Sequence, residues 1–174
     1  NTATIRTLVQ GALASGRTML TELEAKAVLD ACRIPVVPTQ RVAAEPEAAA
    51  LAAVALGFPV VLKILSDDIS HKSDVGGVAL DLQDVAEVRN AAQAMLERVH
   101  RERPAARIEG LTVQAMVRRK HAQELIVGST VDRVFGPVIL FGQGGTAVEV
   151  MADRAVALPP LSVPLARALV SRTR

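Results

Sequence analysis

Residues 58–82 constrain the fold of this chain more than any other stretch, because they place one lysine inside an otherwise apolar run. Residues 60–65 read Val-Val-Leu-Lys-Ile-Leu, which predicts a β-strand. Side chains alternate between the two faces of a strand, so Lys63 shares a face with Val61 and Leu65. Since an unpaired ammonium is costly to bury, the sequence predicts an anionic partner or a route to water for Lys63.

A polar loop follows this strand and ends in Gly76 and Gly77, before a second predicted strand over residues 78–82. In that strand Val78, Leu80 and Leu82 alternate with Ala79 and Asp81, which predicts one solvated face. Glycine lets backbone N–H groups approach a ligand closely and form a concave anion-binding site. Together with the point charge of Lys63, such a loop suits the phosphates of a nucleoside triphosphate. A surface hairpin whose lysine reaches solvent is the alternative, and these residues alone leave both interpretations open.

A histidine, His71, lies in the middle of this loop. Its polar sequence neighbours disfavour a role as a core residue. Two interpretations stay open for His71: a plain surface side chain, or a nucleophile or proton carrier close to phosphate.

The composition narrows the classes of function. The chain has 174 residues, half of them hydrophobic, which suits one domain or two small subdomains. With three Phe and no Tyr or Trp, it offers little stacking surface for bases, and 20 basic against 18 acidic residues form no basic stripe. We therefore expect no nucleic-acid partner. The single cysteine, Cys32, suits a reducing, cytoplasmic compartment, and no apolar segment approaches the ~18 residues of a membrane span.

A glycine-rich segment in the second half reads Gly142-Gln143-Gly144-Gly145. A dinucleotide-binding fingerprint requires a helix after its glycines, whereas the strand-like residues 146–150 follow here. The pattern therefore predicts a tight hairpin turn near a ligand. Beyond it, Glu149 and Asp153 could hold Mg²⁺ through carboxylate oxygens, or they are ordinary charges at the exit of a hairpin.

Four segments together resemble the ATP-grasp domain of NDP-forming (ADP-forming) acyl-CoA synthetases, which are relatives of the nucleotide-binding subunit of succinyl-CoA synthetase. The resemblance runs over residues 20–161, and its most specific part is the loop around His71. The four segments read Thr21-Glu22-Leu23-Glu24-Ala25-Lys26, Phe58-Pro59-Val60-Val61-Leu62-Lys63, Ile69-Ser70-His71-Lys72-Ser73-Asp74-Val75-Gly76-Gly77-Val78, and Phe135-Gly136-Pro137 through Phe141-Gly142-Gln143-Gly144-Gly145.

The resemblance implies an α+β, ATP-grasp fold with two α/β subdomains built on mixed or antiparallel sheets. It divides the chain into an N-terminal helix, residues 1–19, and an ATP-grasp domain, residues 20–174. Thr21 and Glu24 form a T-x-x-E capping pattern, which predicts a helix that starts there and ends at Pro35, and Asp84 is predicted to cap a later helix. A helix predicted from Ser162 shows no stop signal before Arg174. We therefore expect a domain truncated at its C-terminus, without the family's later acidic metal-ligand segment and without its CoA-binding and ligase domains.

The resemblance also implies roles for individual residues. His71 would carry a phosphoryl group between ATP and a second histidine on the CoA-ligase part, and Glu149 and Asp153 would lie near the metal. Lys63 would contact phosphates, the loop from Ser73 would cover them, and the strand from Gln114 would bind adenine through its backbone. The nucleotide-binding set comprises Lys63, Ser73, Asp74, Gly76, Gly77, Gln114, Ala115, Met116, Val117 and Glu124.

The implied reaction joins acid, CoA and ATP to give acyl-CoA, ADP and phosphate. Its cofactors would be ATP or ADP and Mg²⁺, and CoA would bind only through CoA-binding and ligase domains of the same chain or of a partner subunit. Two alternatives are a regulatory module fused to a protein acetyltransferase and a generic ATP-grasp ligase. The loop around His71 argues against the second, because such ligases need no phosphohistidine.

Overall fold

A computed structural model describes residues 1–69, 71–119, 121–145 and 153–173 of the chain. It divides into two compact units, Asn1–Arg118 and Arg119–Arg174. The first unit contains a four-stranded sheet and the second a three-stranded sheet, and every pair of neighbouring strands is antiparallel. The predicted α+β class with antiparallel sheets is confirmed.

The first unit orders its strands as β1-β4-β2-β3. Its helices α3 and α4 contact each other and the sheet. In chain order its elements are α1 (Thr2–Ala14), α2 (Glu22–Ala31), β1 (Thr39–Val42), α3 (Pro46–Leu56), β2 (Val60–Leu65), a 3₁₀ turn (Lys72–Val75), β3 (Val78–Leu82), α4 (Val85–Glu102) and β4 (Gly110–Ala115).

Local sequence signals fix where the helices begin. The Thr21 hydroxyl accepts from the Glu24 N–H, and the Glu24 carboxylate accepts from the Thr21 N–H, which completes the predicted capping box of α2. Asp84 caps α4 in the predicted way by accepting from the Glu87 N–H. The predicted end of α2 at Pro35 is wrong: the helix stops at Ala31, because the chain turns into the left-handed region at Arg33, where φ is 62°.

The core of the first unit lies between the sheet and helices α3 and α4. Leu62 and Ile64 on β2 and their partners Val113 and Leu111 on β4 are fully buried. Fully burying such a side chain contributes about 1.5–3 kcal/mol. The helices α3 and α4 supply small and branched side chains to the same cluster, among them Ala49, Ala53, Val88, Ala92 and Val99. Lys63 alternates with Leu62 and Ile64, so it lies on the opposite face of the sheet.

The strand β3 carries an irregularity that the sequence pattern does not reveal. Leu62 pairs with Ala79 and Val60 with Leu82, so β3 has one more residue than β2 between these pairs. Asp81 takes up the change with a positive φ of 63°. The predicted alternation, with Leu80 on one face with Leu82, is therefore wrong: Leu80 is 61% exposed, whereas Leu82 is buried and Ala79 packs on the core.

The second unit orders its strands β5 (Leu125–Asp132), β6 (Gly136–Gln143) and β7 (Arg154–Ala157) as β5-β6-β7, and helix α5 (Val163–Val170) follows. The helix predicted from Ser162 is confirmed, and Ser162 caps α5 by accepting from the Leu165 N–H. The expectation that this helix runs to the end of the chain is wrong, because it ends at Val170 in a capping turn at Ser171. The strand-like residues 146–150 lie outside the described residues.

In the parts of the chain that the structure describes, none of the helices combines the length and the apolar character needed to cross a bilayer.

Candidate functional site

The side chain of Lys63 leaves β2 on the face away from helices α3 and α4, and it is only 23% exposed. Its ammonium donates to the Glu22 carboxylate at 2.8 Å and to the Gln114 amide oxygen at 3.2 Å. Glu22 lies in the first turn of α2 and Gln114 on the neighbouring strand β4. The sequence predicted an anionic partner or a route to water for Lys63, and the structure gives it an anionic partner, Glu22.

A second lysine, Lys26, shares both acceptors with Lys63. Its ammonium donates to the Gln114 amide oxygen at 2.7 Å and to the Thr39 hydroxyl at 2.5 Å, and it lies 3.3 Å from the Glu22 carboxylate. The same oxygen atom of Glu22 and the same oxygen atom of Gln114 therefore bridge the two ammonium groups. We call Glu22, Lys26, Thr39, Lys63 and Gln114 the lysine cluster.

The lysine cluster carries one negative and two positive charges. Partial burial raises the pKa of Glu22, but hydrogen bonds and charge from Lys63 and Lys26 outweigh it, so the pKa is lowered overall. Glu22 is therefore ionised at neutral pH, and the cluster has a net charge of +1. Such a cluster attracts an anion more strongly than a neutral ion pair would.

Hydrogen bonds to Glu24 from Arg17 and Thr21 hold the first turn of α2, which contains Glu22. Arg17 forms two hydrogen bonds with the Glu24 carboxylate, at 2.7 and 2.8 Å. These bonds, together with those from Thr21, lower the pKa of Glu24 to about 2. Glu22 thus projects from a helix start that is tied to the preceding loop.

The predicted glycine loop closes on itself. The Gly76 N–H donates to the Ser73 carbonyl at 3.1 Å and the Gly77 N–H to the Lys72 carbonyl at 2.7 Å. The Gly77 carbonyl accepts from the Ile64 N–H at 2.8 Å, which attaches the loop to β2 beside Lys63. In this conformation the two glycine amides are therefore engaged within the loop.

Different features favour glycine at the two positions. Gly76 has a positive φ of 63°, a backbone conformation that other residues rarely adopt, and the Arg98 side chain that a Cβ would meet is flexible. A Cβ on Gly77 would lie 2.6 Å from the Cγ2 of Ile64 and 2.9 Å from the Lys72 carbonyl oxygen. Gly77 thus has a packing role besides any role towards a ligand.

His71 directly precedes the 3₁₀ turn and is exposed. Ser73 and Asp74 lie within the turn and are exposed as well. The His71 carbonyl accepts from the Asp74 N–H at 3.2 Å. A cavity of about 470 Å³ lies next to this loop, lined by residues 16–22, Leu65–Asp67, Ile69 and Lys72. Among the described residues, Glu22 is its only lining residue from the lysine cluster and Lys72 its only one from the 3₁₀ turn, whereas neither Lys63 nor the glycine pair is among the lining residues.

The four residues predicted to bind adenine end the strand β4 and continue beyond it. The Ala115 N–H donates to the Pro38 carbonyl at 3.1 Å, and the Met116 N–H donates to the Pro59 carbonyl at 2.9 Å. The side chain of Gln114 belongs to the lysine cluster, and Val117 is 55% exposed. The structure thus places this segment in the same unit as Lys63, with two of its amides bonded to neighbouring strands and loops.

Glu124 and Asp153 lie in the second unit, on either side of the glycine-rich segment. The Glu124 carbonyl accepts from the Gly144 N–H at 2.7 Å, and the Asp153 carbonyl accepts from the Gln143 N–H at 3.0 Å. A Cβ on Gly142 would lie 2.6 Å from the Asp153 carbonyl oxygen, so this approach requires glycine. The other predicted metal ligand, Glu149, lies outside the described residues. Among the residues that are described, no group of three or more His, Cys, Asp or Glu is arranged to hold a metal ion.

Sequence reasoning missed three members of the lysine cluster: Glu22, Lys26 and Thr39. Glu22 and Lys26 are four residues apart at the start of a capped helix, so they share one face of it. With only four lysines in the chain, that spacing was the available signal. Thr39 carries no such signal, because only the pairing of β1 with β4 places it opposite Gln114.

The chain is similar to known proteins over nearly its whole length. The family model of the ATP-grasp domain matches residues 11–174. The chain is 34% identical over 167 residues to the beta subunit of acetate–CoA ligase [ADP-forming] II of Pyrococcus furiosus, covering 96% of this chain and 70% of that subunit. It is 40% identical over 146 residues to 4-hydroxybutyrate–CoA ligase [ADP-forming] of Nitrosopumilus maritimus, covering 84% of this chain but only 20% of that ligase.

Solved structures of acetyl-coenzyme A synthetase 1 from Ca. Korarchaeum cryptofilum match as well. A complex with coenzyme A, Ca-AMPCP and HgCl⁺ superposes with a TM-score of 0.89 at 40% identity, covering 97% of this chain and 72% of that one. A complex with coenzyme A and Mg-AMPPCP, whose phosphohistidine segment points towards the nucleotide-binding site, superposes with a TM-score of 0.81 at 35% identity, covering 98% and 71%.

Proposed function

The chain belongs to the ATP-grasp family of ADP-forming acid–CoA ligases, and from that membership we propose that it is the nucleotide-binding domain of such a ligase. Its fold is the ATP-grasp fold. The reaction of the whole enzyme would join an acid, CoA and ATP to give acyl-CoA, ADP and phosphate. CoA would bind through CoA-binding and ligase domains of the same protein or of a partner subunit.

One observation carries this proposal: Lys63 lies on β2, the glycine pair directly precedes β3, and these two strands pair with each other within one unit. Val78, directly after Gly77, pairs with Lys63 across strands β2 and β3. Lysine has three N–H donors, and Lys63 uses two of them within the lysine cluster. A cation with a remaining donor beside a glycine loop suits the phosphates of ATP.

The proposed chemistry is phosphoryl transfer to His71. A neutral ring nitrogen of His71 attacks the γ-phosphorus, the bond from that phosphorus to the β–γ bridging oxygen breaks, and ADP leaves with the electron pair. The phosphoryl group then passes to a second histidine on the CoA-ligase part. Such transfer depends on positioning and charge neutralisation, which Lys63 would supply at the phosphates. The exposure of His71 supports a role in handing the group to another domain.

The rest of the site completes the proposal. Gln114, Ala115, Met116 and Val117 would bind the adenine through their backbone, and Glu124 is a further residue proposed to bind the nucleotide. Ser73, Asp74, Gly76 and Gly77 would cover the phosphates. For the two glycine amides this requires exchanging their bonds to Ser73 and Lys72 for bonds to phosphate oxygens.

Glu149 and Asp153 would hold Mg²⁺, since two carboxylates suit a hard cation. When bound, Mg²⁺ neutralises charge on the phosphate oxygens. Residues 20–174 would form the ATP-grasp domain and residues 1–19 an N-terminal helix. The single, exposed Cys32 suits a cytoplasmic location.

The test is a labelling experiment on the full-length ligase with ATP that is radiolabelled in its γ-phosphate. We expect acid-labile label on the wild-type protein and none on the His71→Ala variant, in which phosphate exchange between ATP and the ligase half also stops. The matched control is His100→Ala, which removes a histidine from the helix α4 and should keep the label. Full exchange in His71→Ala would show that the assignment of His71 is wrong. An absence of acid-labile label on the wild type would favour a generic ATP-grasp ligase.

A further inference from the structure

The two lysines of the lysine cluster differ in how completely their donors are used. Lys26 has three oxygen atoms within 3.3 Å, from Thr39, Gln114 and Glu22. This number matches its three N–H donors. Lys63 has only two acceptors among the described residues, so one of its N–H donors is left over.

Lys26 also contacts the two oxygen atoms that hold Lys63. The Gln114 oxygen accepts from both ammonium groups, at 2.7 Å from Lys26 and 3.2 Å from Lys63. The Glu22 oxygen accepts from Lys63 and forms an ion pair with Lys26 at 3.3 Å. Thr39, the third acceptor of Lys26, is itself held, because its hydroxyl donates to the Val37 carbonyl at 3.0 Å. Lys26 is thus the better anchored of the two lysines, and it is tied to β1, β4 and α2 at once.

We propose that Lys26 is a positioning residue for Lys63. By holding the Glu22 and Gln114 oxygens in place, it orients the Lys63 ammonium so that the third N–H of Lys63 is free for a phosphate oxygen of the nucleotide. This inference rests on the proposed function, in which Lys63 contacts the phosphates. Lys26 itself makes no phosphate contact in this proposal, because two hydrogen bonds and the ion pair with Glu22 surround its ammonium with oxygen atoms of the cluster.

Positioning matters because a lysine side chain is a flexible four-carbon stem with a point charge at its end. Ordering such a side chain on binding reduces affinity, and a side chain that is ordered beforehand avoids that loss. Lys63, which is held by two acceptors, is ordered in this way as long as those acceptors are fixed. Without Lys26, Glu22 and Gln114 lose their shared partner, and Lys63 loses its fixed position.

The experiment is a double-mutant cycle on the full-length ligase, with the affinity for Mg-ADP measured by titration calorimetry. Lys26→Met should weaken binding about tenfold in the wild-type background, because Lys63 would then lose its contact to the charged phosphate, and about tenfold is the order expected for such a loss. In the Lys63→Met background the same change should weaken binding by less than about twofold, because Lys26 acts through Lys63. Adenosine, which has no phosphate, should bind all variants equally.

Two further variants control for stability. Arg89→Met removes a cation from an exposed ion pair with Glu47, on the helices at the other face of the sheet, and should leave Mg-ADP affinity unchanged. Thr39→Val removes a neutral acceptor of Lys26, together with the hydroxyl's bond to the Val37 carbonyl, and should weaken Mg-ADP binding about threefold. If Lys26→Met does not fold, as judged by its melting curve, Thr39→Val in the two backgrounds decides the question in the same way.

The possible outcomes separate the two proposals. Equal losses from Lys26→Met in both backgrounds would mean that Lys26 contributes charge or a direct contact, and would overturn the positioning role. No loss in the wild-type background would overturn it as well, while the proposed function stands if Lys63→Met weakens binding. If the wild type does not bind Mg-ADP, or if Lys63→Met binds it fully, both proposals fail.

Discussion

Replacing Gly77 by alanine tests whether packing alone requires a glycine at the end of the His71 loop, in the absence of any ligand. The added Cβ would lie 2.6 Å from the Cγ2 of Ile64 and 2.9 Å from the Lys72 carbonyl oxygen. Ile64 is fully buried, and the Lys72 carbonyl accepts from the Gly77 N–H, so neither neighbour can move without breaking other contacts.

The expected loss follows from these two contacts. Overpacking of a well-packed core costs about 1–3 kcal/mol. Weakening the hydrogen bond from Gly77 to Lys72 adds about 0.5–1.5 kcal/mol. We therefore expect Gly77→Ala to lower the free energy of unfolding by about 1.5–4.5 kcal/mol in the absence of nucleotide.

The matched control is Gly11→Ala. Gly11 lies within the helix α1, and a Cβ there would meet nothing within 4 Å. Alanine should therefore stabilise the helix by about 0.5–1 kcal/mol, the opposite sign. Both variants can be measured by urea denaturation followed by circular dichroism, since the chain has no Trp or Tyr for fluorescence. A loss below about 0.5 kcal/mol for Gly77→Ala, the range of ordinary surface substitutions, would refute the packing argument.

Two other predictions concern β3 and the start of α2. Leu82→Ala should lower the unfolding free energy by about 2–5 kcal/mol, whereas Leu80→Ala on the exposed face should change it by less than about 0.5 kcal/mol. Equal losses of unfolding free energy in the two variants, measured by denaturation, would contradict the irregularity in β3. The pKa of Glu24 is lowered from 4.5 to about 2, first of all by Arg17, so its stabilising contribution is present above pH 4.5 and is lost as the pH falls towards 2. Glu24→Gln should therefore lower the unfolding free energy at neutral pH, and the unfolding free energy of this variant should fall less than that of the wild type between pH 4.5 and pH 2. If the unfolding free energies of the two proteins fall equally over this pH range, the bonds between Glu24 and Arg17 do not form in solution.

Local signals in the sequence predicted those features that depend on neighbours along the chain. The caps at Thr21 and Asp84 are of this kind, because a short polar side chain bonds to an amide three residues away. The need of Lys63 for an anion was also predictable, since it follows from the cost of burying a charge in an apolar strand.

Features that depend on tertiary pairing were not predictable. Glu22 is 41 residues away from Lys63, and nothing local marks it as the partner. The extra residue in β3 depends on how that strand pairs with β2, and the hydrophobic alternation of residues 78–82 suggested a regular strand instead. The glycine loop was expected to offer its amides to a ligand, whereas the carbonyls of Lys72 and Ser73 accept from them in the structure.

The irregular strand β3 also bears on intermolecular strand pairing, the process by which exposed sheet edges aggregate. In the described part of the sheet, β3 is an outermost strand, and outermost strands can recruit strands of other molecules into aggregates. The turn at Asp81 interrupts its regular row of amides and carbonyls, and the ion pair between Asp81 and Arg118 adds charge at that point. A kinked, charged border of this kind discourages intermolecular strand pairing, even though Leu80 is exposed beside it.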